Sequence, residues 1–158
     1  MAKSRPAIVT IDDEPDVLNA IERDLRNHFK GEFRIIKASS GAEAITAIRT
    51  LKERGQVVAL FVADQRMPAM AGTEFLAEAK NFFPDARKVL LTAYADTEAA
   101  IESINSVGLD HYLMKPWDPP EQNLYPVLDD LIEEWQSTAP VPYDGIRVAG
   151  TQWVIIQS

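Results

Sequence analysis

The sequence has 158 residues, enough for one domain with a core of ordinary size. Hydrophobic residues make up 46% of it and charged residues 25%, as is typical of globular proteins, and no apolar run reaches the roughly 20 residues that span a membrane. The net charge of −8 argues against direct, sequence-independent binding to nucleic acid or to anionic membranes.

The residue types that are rare or missing limit the chemistry further. There is no cysteine, which excludes disulfides, thiol catalysis and cysteine zinc sites, and the two histidines cannot form a histidine-rich site. Any bound metal must therefore be held by oxygen. Since no segment resembles a signal peptide, we expect a cytoplasmic protein.

Short apolar runs alternate along the chain with segments of helical periodicity. The apolar runs predict strands at residues 7–11, 33–38, 57–63, 88–91 and 111–114. Four helices are predicted between these strands, with Ser39 and Ser40 as cap candidates for the second and Pro84 as the stop of the third. The fourth helix is predicted at 96–107, and its apolar residues are Ala100, Ile101 and Ile104.

The pattern becomes irregular after residue 115, where prolines interrupt it. Proline is tolerated in the first turn of a helix, so we predict an ordered turn and then a helix at 125–136. We predict a linker at 137–145 and a strand or hairpin at 146–158, where β-branched and aromatic residues are frequent.

Five strands separated by helix-length segments predict an α/β doubly wound domain, in which helices cover both faces of a parallel sheet. Ligands bind such sheets outside the carboxyl ends of the strands. The polar residues predicted at these ends are an acidic pair, a lone carboxylate, a hydroxyl and an ammonium: Asp12, Asp13, Asp64, Thr92 and Lys115. We expect them to form one site.

These five side chains have the chemistry of a Mg²⁺-dependent site that accepts a phosphoryl group. Carboxylates supply the oxygen ligands that Mg²⁺ prefers, and Asp64 can attack a phosphoryl group while Lys115 neutralises its oxygens and Thr92 donates a hydrogen bond. Alternatively, the acids within 12–16 merely cap the first helix and complement its dipole. The combination favours a site, because otherwise four separate strand ends would carry matching groups by coincidence.

One stretch resembles the phosphoacceptor loop of the receiver domains of two-component response regulators, namely Asp64-Gln65-Arg66-Met67-Pro68-Ala69-Met70-Ala71-Gly72. Further matches to this family are Asp12-Asp13, Leu91-Thr92-Ala93 and Lys115-Pro116, and the resemblance covers residues 6–136. It implies the flavodoxin-like receiver fold, Mg²⁺ as cofactor, and a sensor histidine kinase or phosphotransfer protein as partner. It also implies a domain that catalyses only its own phosphorylation and dephosphorylation.

The resemblance implies a role for each residue of the metal site. Asp64 is the phosphoacceptor. Asp13 binds Mg²⁺ directly and Asp12 binds it through water. The remaining protein ligands are Asp64 and the backbone carbonyl of Arg66.

Further roles follow from the same resemblance. Thr92 and Lys115 bind phosphoryl oxygens, and the Lys115–Pro116 peptide bond is expected to be cis. Tyr112 matches the aromatic residue that turns inward when the threonine moves; alternatively it is only a half-buried strand residue. Arg66 and Tyr94 occupy positions that tune how fast water removes the phosphoryl group, and their bulk leads us to expect a long-lived signal; alternatively, Arg66 is only a solvated side chain.

The segment after Lys115 departs from the usual family pattern. Trp117 and the prolines that follow replace a plain helix entry, which puts in doubt the dimerisation face that the family forms there. The 22 residues after Gln136 are too few for a separate output domain. Residues 115–150 resemble, more weakly, the junction of regulators fused to a thioredoxin-reductase-like flavoprotein, and this resemblance implies that 146–158 is the opening strand of an output domain. The alternative is a stand-alone receiver whose tail pairs with itself or with a partner.

Two other functions remain as alternatives. A phosphatase of the haloacid-dehalogenase type uses similar groups, but its nucleophile is the first aspartate of an Asp-x-Asp loop after the first strand, and Asp12-Asp13-Glu14-Pro15 lacks that spacing. A phosphorylation-independent interaction module on the receiver fold would not need the complete acceptor set.

Overall fold

A five-stranded parallel sheet lies at the centre of the protein. The computed structural model describes residues 5–93 and 97–138. The strands are β1 (Ala7–Ile11), β2 (Arg34–Ala38), β3 (Val58–Asp64), β4 (Arg87–Thr92) and β5 (His111–Met114). Their order is β2-β1-β3-β4-β5, and every neighbouring pair is parallel. The predicted α/β doubly wound architecture is confirmed.

Helices cover both faces of this sheet. In the described ranges they are α1 (Pro15–Phe29), α2 (Gly41–Glu53), α3 (Gly72–Phe82), α4 (Thr97–Ser106), α5 (Pro120–Asn123) and α6 (Tyr125–Thr138). Side chains of β3 alternate between the two faces: Phe61 and Ala63 pack with α2, α3 and α4, whereas Leu60 and Val62 pack with α1 and α6. β3 is buried along its whole length, as expected of a central strand covered on both sides.

Local sequence explains where the helices next to the site begin. α1 starts at Pro15, where a missing amide donor costs nothing because the first turn has no partner for it. Of the two cap candidates for α2, Ser40 is the N-cap, since its hydroxyl accepts a hydrogen bond from the Glu43 amide at 3.1 Å. Both helices therefore begin at residues that suit a first turn, with two or three residues between them and the end of the preceding strand.

Some predicted boundaries are wrong, and two apolar residues of the predicted elements are exposed. Val57 lies just before β3 and is 40% exposed, although its carbonyl accepts a hydrogen bond from the Ala7 amide at 2.8 Å. Ile101 is 52% exposed although its neighbour Ala100 is fully buried, since adjacent helical residues point about 100° apart. α6 continues to Thr138, two residues beyond its predicted end, and the predicted turn before it is the short helix α5.

The rest of the predicted linker and the predicted strand or hairpin at 146–158 lie outside the described residues. Within 5–93 and 97–138, no helix combines the length and the apolar character needed to cross a lipid bilayer.

Candidate functional site

Three carboxylates meet at the carboxyl ends of β1 and β3. These strands are neighbours with Ile11 paired to Ala63, so Asp12 and Asp64, the next residue of each, lie side by side. One ligand oxygen from each of Asp12, Asp13 and Asp64 lies within 4.8 Å of the others. Asp12 is fully buried and Asp64 is 4% exposed. The sheet topology therefore brings together acids that are 52 positions apart in the sequence.

The start of α1 holds Asp12 in place. Its Oδ1 accepts a hydrogen bond from the Glu14 amide at 2.9 Å, and the Asp12 amide donates to the Ala38 carbonyl of the neighbouring strand at 3.2 Å. Its other oxygen, Oδ2, faces Lys115 as an ion pair but receives no aligned hydrogen bond. Asp12 thus keeps one oxygen for electrostatic contacts.

Lys115 reaches the acids from the end of β5. Its Nζ lies 2.7 Å from Asp64 Oδ1, 2.9 Å from Asp12 Oδ2 and 3.8 Å from Glu14 Oε1. Its backbone amide donates to the Thr92 carbonyl at 3.0 Å, which continues the pairing of β5 with β4. The long side chain therefore spans the width of β4 to reach the carboxylate at the end of β3.

The crowding of charges changes the acidity of these groups. The pKa of Asp64 is raised to about 6: burial is the largest cause, the hydrogen bond from Lys115 opposes it, and the negative charges of Asp12 and Asp13 add to the rise. For Lys115, burial lowers the pKa, but the contacts with Asp64 and Asp12 outweigh it and raise the pKa above its ordinary value. The lysine is therefore an ammonium at neutral pH, and a cation among the acids would favour the ionised form of Asp64.

The loop after β3 fixes the backbone of Asp64. The Gln65 amide donates to the Leu91 carbonyl, and the Gly72 amide donates to the Gln65 carbonyl, both at 3.0 Å. An added Cβ on Gly72 would lie inside van der Waals contact with the carbonyl oxygen of Asp64 and 2.8 Å from Leu90 Cδ1. Glycine at 72 therefore lets α3 approach Asp64 closely, which explains its place at the end of the phosphoacceptor-like loop.

The site opens into a cleft of about 710 Å³. Its lining residues are Asp13, Glu14, Asp64, Arg66, Met67, Pro68, Ala93 and Lys115. The three carboxylates are hard oxygen donors, close enough to share one cation, and Asp13 and Asp64 both border the cleft. The residues present therefore fit Mg²⁺, which keeps several water ligands and needs such an opening.

Two other predicted residues are near the site but engaged differently. Thr92 ends β4 and is fully buried, and its hydroxyl donates to the Ala93 carbonyl at 3.1 Å. Tyr112, on β5, is half-buried against the core. The Lys115–Pro116 peptide bond is cis, as the resemblance implies. Tyr94 lies outside the described residues.

Sequence reasoning missed two features around the site. The sequence pattern indicates only a helix-dipole role for Glu14, but its carboxylate lies 3.8 Å from the Lys115 ammonium. Asp24 interrupts the apolar face of α1 between Ile21 and Leu25 and is 4% exposed, with Trp117 as its partner. A charged residue at a core-facing helix position was the signal that could have found it.

Comparisons with known proteins find related sequences among transcriptional regulatory proteins. The hydrogenase transcriptional regulatory protein HoxA of Cupriavidus necator is 34% identical over 119 residues, which cover 75% of this chain and 23% of that protein. The transcriptional regulatory protein ZraR of Klebsiella oxytoca is 31% identical, covering 75% of this chain and 25% of ZraR. The chain thus spans about a quarter of the length of these curated relatives.

Solved structures and a family model identify the protein family. The crystal structure of a response regulator receiver domain protein from Clostridium thermocellum superposes with a TM-score of 0.70 at 26% identity, covering 84% of this chain and 98% of that one. The family model described as response regulator receiver domain matches residues 8–124, a range that contains all the acids of the site and Lys115. The chain therefore belongs to the response regulator receiver domain family.

Proposed function

We propose that this receiver domain accepts a phosphoryl group on Asp64 in a Mg²⁺-dependent reaction and thereby switches a protein-interaction surface. The observation that carries the proposal is the position of the Asp64 carboxylate, 2.7 Å from the Lys115 ammonium, beside two further acids and at the edge of an open cleft. The phosphoryl donor is the phosphohistidine of a sensor histidine kinase or of a phosphotransfer protein, as the family implies.

Four residues would hold Mg²⁺: Asp13 and Asp64 directly, Asp12 through water, and Arg66 through its backbone carbonyl. When bound, the ion neutralises charge on the phosphoryl oxygens. An oxygen of Asp64 attacks phosphorus, a new O–P bond forms, and the P–N bond of the donor breaks with its electron pair returning to the imidazole. The Lys115 ammonium balances the negative charge that gathers on the transferred group.

The switch follows from the charge that the phosphoryl group adds. Its oxygens compete for the Lys115 ammonium and for the hydroxyl of Thr92, which leaves the Ala93 carbonyl and moves toward the site. Tyr112, on the adjacent strand, turns inward into the space beside Thr92 and changes the outer surface of β5. Arg66 and Tyr94 shield the phosphoryl group from water and prolong the signal.

The output of this switch is passed on through a fused or separate protein. The curated relatives are about four times longer than the matched segment and are named as transcriptional regulatory proteins, so their output lies in other domains. We propose a cytoplasmic domain that catalyses only its own phosphorylation and dephosphorylation and does not contact nucleic acid or membrane itself. The net charge of −8 supports the proposal that the domain does not bind nucleic acid or anionic membranes.

Phosphorylation by a small donor tests the proposal. The protein is incubated with acetyl phosphate, with Mg²⁺ or with excess chelator, and the phosphoryl adduct is measured by mass spectrometry. We expect Mg²⁺-dependent labelling of the wild type, none of Asp64→Asn, and normal labelling of Asp130→Asn, a matched change at an exposed position of α6. Labelling that survives Asp64→Asn contradicts the proposal, and an unlabelled wild type supports the phosphorylation-independent interaction module instead.

A further inference from the structure

A buried carboxylate on α1 is bonded to the segment that follows the site lysine. Asp24 is 4% exposed, and its Oδ2 accepts a hydrogen bond from Trp117 Nε1 at 2.7 Å. Its Oδ1 accepts one from Arg23 Nε at 3.2 Å. Because a carboxylate in a hydrophobic core is unfavourable unless its oxygens are paired, the indole N–H is a necessary partner for Asp24.

The same segment is attached to α1 at a second point. The hydroxyl of Tyr125 donates to the backbone carbonyl of Asp24 at 2.9 Å. Trp117 is 7% exposed and belongs to the core cluster shared by α1 and α6, which also contains Leu25 and Leu128. Residues 117–125 are therefore held against the middle of α1.

This attachment connects Lys115 with Asp12 through the body of the protein. Only Pro116 separates Trp117 from Lys115, and its ring restricts the backbone between them. On the other side, α1 begins within three residues of Asp12, and its rise from residue 15 to residue 24 is about 14 Å. Asp12 and Lys115 are thus joined twice, directly through their ion pair and indirectly through α1, Asp24 and Trp117.

We propose that the Asp24–Trp117 hydrogen bond positions the Lys115 ammonium between Asp12 and Asp64, so that Asp24 and Trp117 are positioning residues for phosphoryl-group binding. This inference rests on the proposed function of Asp64 and Lys115. When the phosphoryl group arrives, the backbone of Lys115 stays in place because Trp117 is fixed to α1, and only the side chain turns toward the new oxygens.

The decisive variant is Trp117→Phe, which keeps an aromatic ring but removes the N–H donor. We expect phosphorylation by acetyl phosphate to slow on the order of tenfold, because a small displacement of a charge-stabilising group is costly in rate. Trp135→Phe is the matched control: it makes the same change in the same core cluster, where Trp135 is 9% exposed on α6. It should leave the rate unchanged.

A second readout does not depend on phosphorylation. Without Mg²⁺, reductive methylation of Lys115 is followed by peptide mass spectrometry, since an ammonium held between two carboxylates reacts slowly. We expect faster methylation of Lys115 in Trp117→Phe but not in Trp135→Phe. Asp24→Asn keeps an oxygen acceptor for the indole, so its Lys115 methylation rate should be nearer to the wild-type rate than that of Asp24→Leu. If Asp24→Leu does not fold, Trp117→Phe is compared with Asp24→Asn instead.

A double-mutant cycle separates positioning from general destabilisation. In a Lys115→Ala background, Trp117→Phe should cause no further loss of phosphorylation rate, because the group it positions is gone. Equal effects of the two tryptophan variants, or additive effects of Lys115→Ala and Trp117→Phe, would overturn the inference. An unlabelled wild type would refute the proposed function instead, and the methylation comparison would still decide whether Trp117 positions Lys115.

Discussion

Replacing Gly72 by alanine tests how closely α3 must approach the phosphoacceptor. Gly72 is the first residue of α3, and local helix propensity alone favours alanine over glycine by up to about 1 kcal/mol. The tertiary structure opposes this. The new Cβ would lie 2.9 Å from the carbonyl carbon of Asp64 and 2.8 Å from Leu90 Cδ1, at least 0.5 Å inside the 3.4 Å where ordinary contact begins.

The size of this overlap decides whether Gly72→Ala stabilises or destabilises the fold. Overpacking of a well-packed core costs roughly 1–3 kcal/mol, and one of the two neighbours is backbone, which cannot rotate away as a side chain can. We therefore expect Gly72→Ala to be destabilised by about 1–2 kcal/mol after the propensity gain. Because Asp64 must shift to relieve the overlap, phosphorylation should also slow on the order of tenfold.

Urea unfolding and acetyl phosphate labelling measure the two effects on the same preparations. Gly55→Ala is the control: Gly55 has φ +70° and no atom within 4 Å of an added Cβ, so the substitution costs about 1–2 kcal/mol of backbone strain without touching the site. Its labelling rate should equal that of the wild type. A Gly72→Ala protein as stable as the wild type and labelled as fast would refute the close approach of α3 to Asp64.

Three further predictions concern the electrostatics, capping and packing of the fold. Burial lowers the pKa of Lys88 below its ordinary 10.5, so the folded state binds this proton less tightly than the unfolded state and becomes more stable as pH rises toward 10.5. Lys88→Met should therefore stabilise the folded protein by about 1 kcal/mol at neutral pH. Urea titrations at several pH values should show this gain shrinking at alkaline pH. Ser40→Ala removes the N-cap of α2 and should lower the free energy of unfolding in urea by about 1 kcal/mol. Ser137→Ala, the control, removes an exposed hydroxyl near the end of α6 and should change that free energy by less than about 0.5 kcal/mol. In thermal unfolding, Ile101→Ala should cost under about 0.5 kcal/mol and Ile48→Ala about 2–5 kcal/mol, and equal losses would contradict the exposure of Ile101.

The order of elements and the chemistry of the site were predictable because both depend on short windows of sequence. An apolar run such as residues 58–63 is sufficient to identify a buried parallel strand, and the residue at its carboxyl end is then placed at the ligand-binding edge by the topology of doubly wound sheets. For the same reason Asp12, Asp64 and Lys115 could be assigned to one site before their distances were known.

The burial of single helix residues was less predictable. Ala100 and Ile101 are both apolar neighbours, and periodicity over one short helix does not decide which of them faces the sheet. In the fold, Ala100 is buried and Ile101 is exposed, because the position of α4 against the sheet determines its inner face. The contact of Glu14 with the Lys115 ammonium was also not predictable, because it depends on the path of the Lys115 side chain in the fold.

By itself, then, the sequence determined the α/β alternation, the identity of the polar groups at four strand ends, and the phosphoacceptor-like loop that begins at Asp64. The tertiary structure decided which atoms meet. The contact of Trp117 with Asp24 joins residues 93 positions apart, and the need for glycine at 72 comes from a backbone carbonyl on another element. Such contacts depend on how helices dock on the sheet, which is set by the packing of the whole core and is not written in any local pattern.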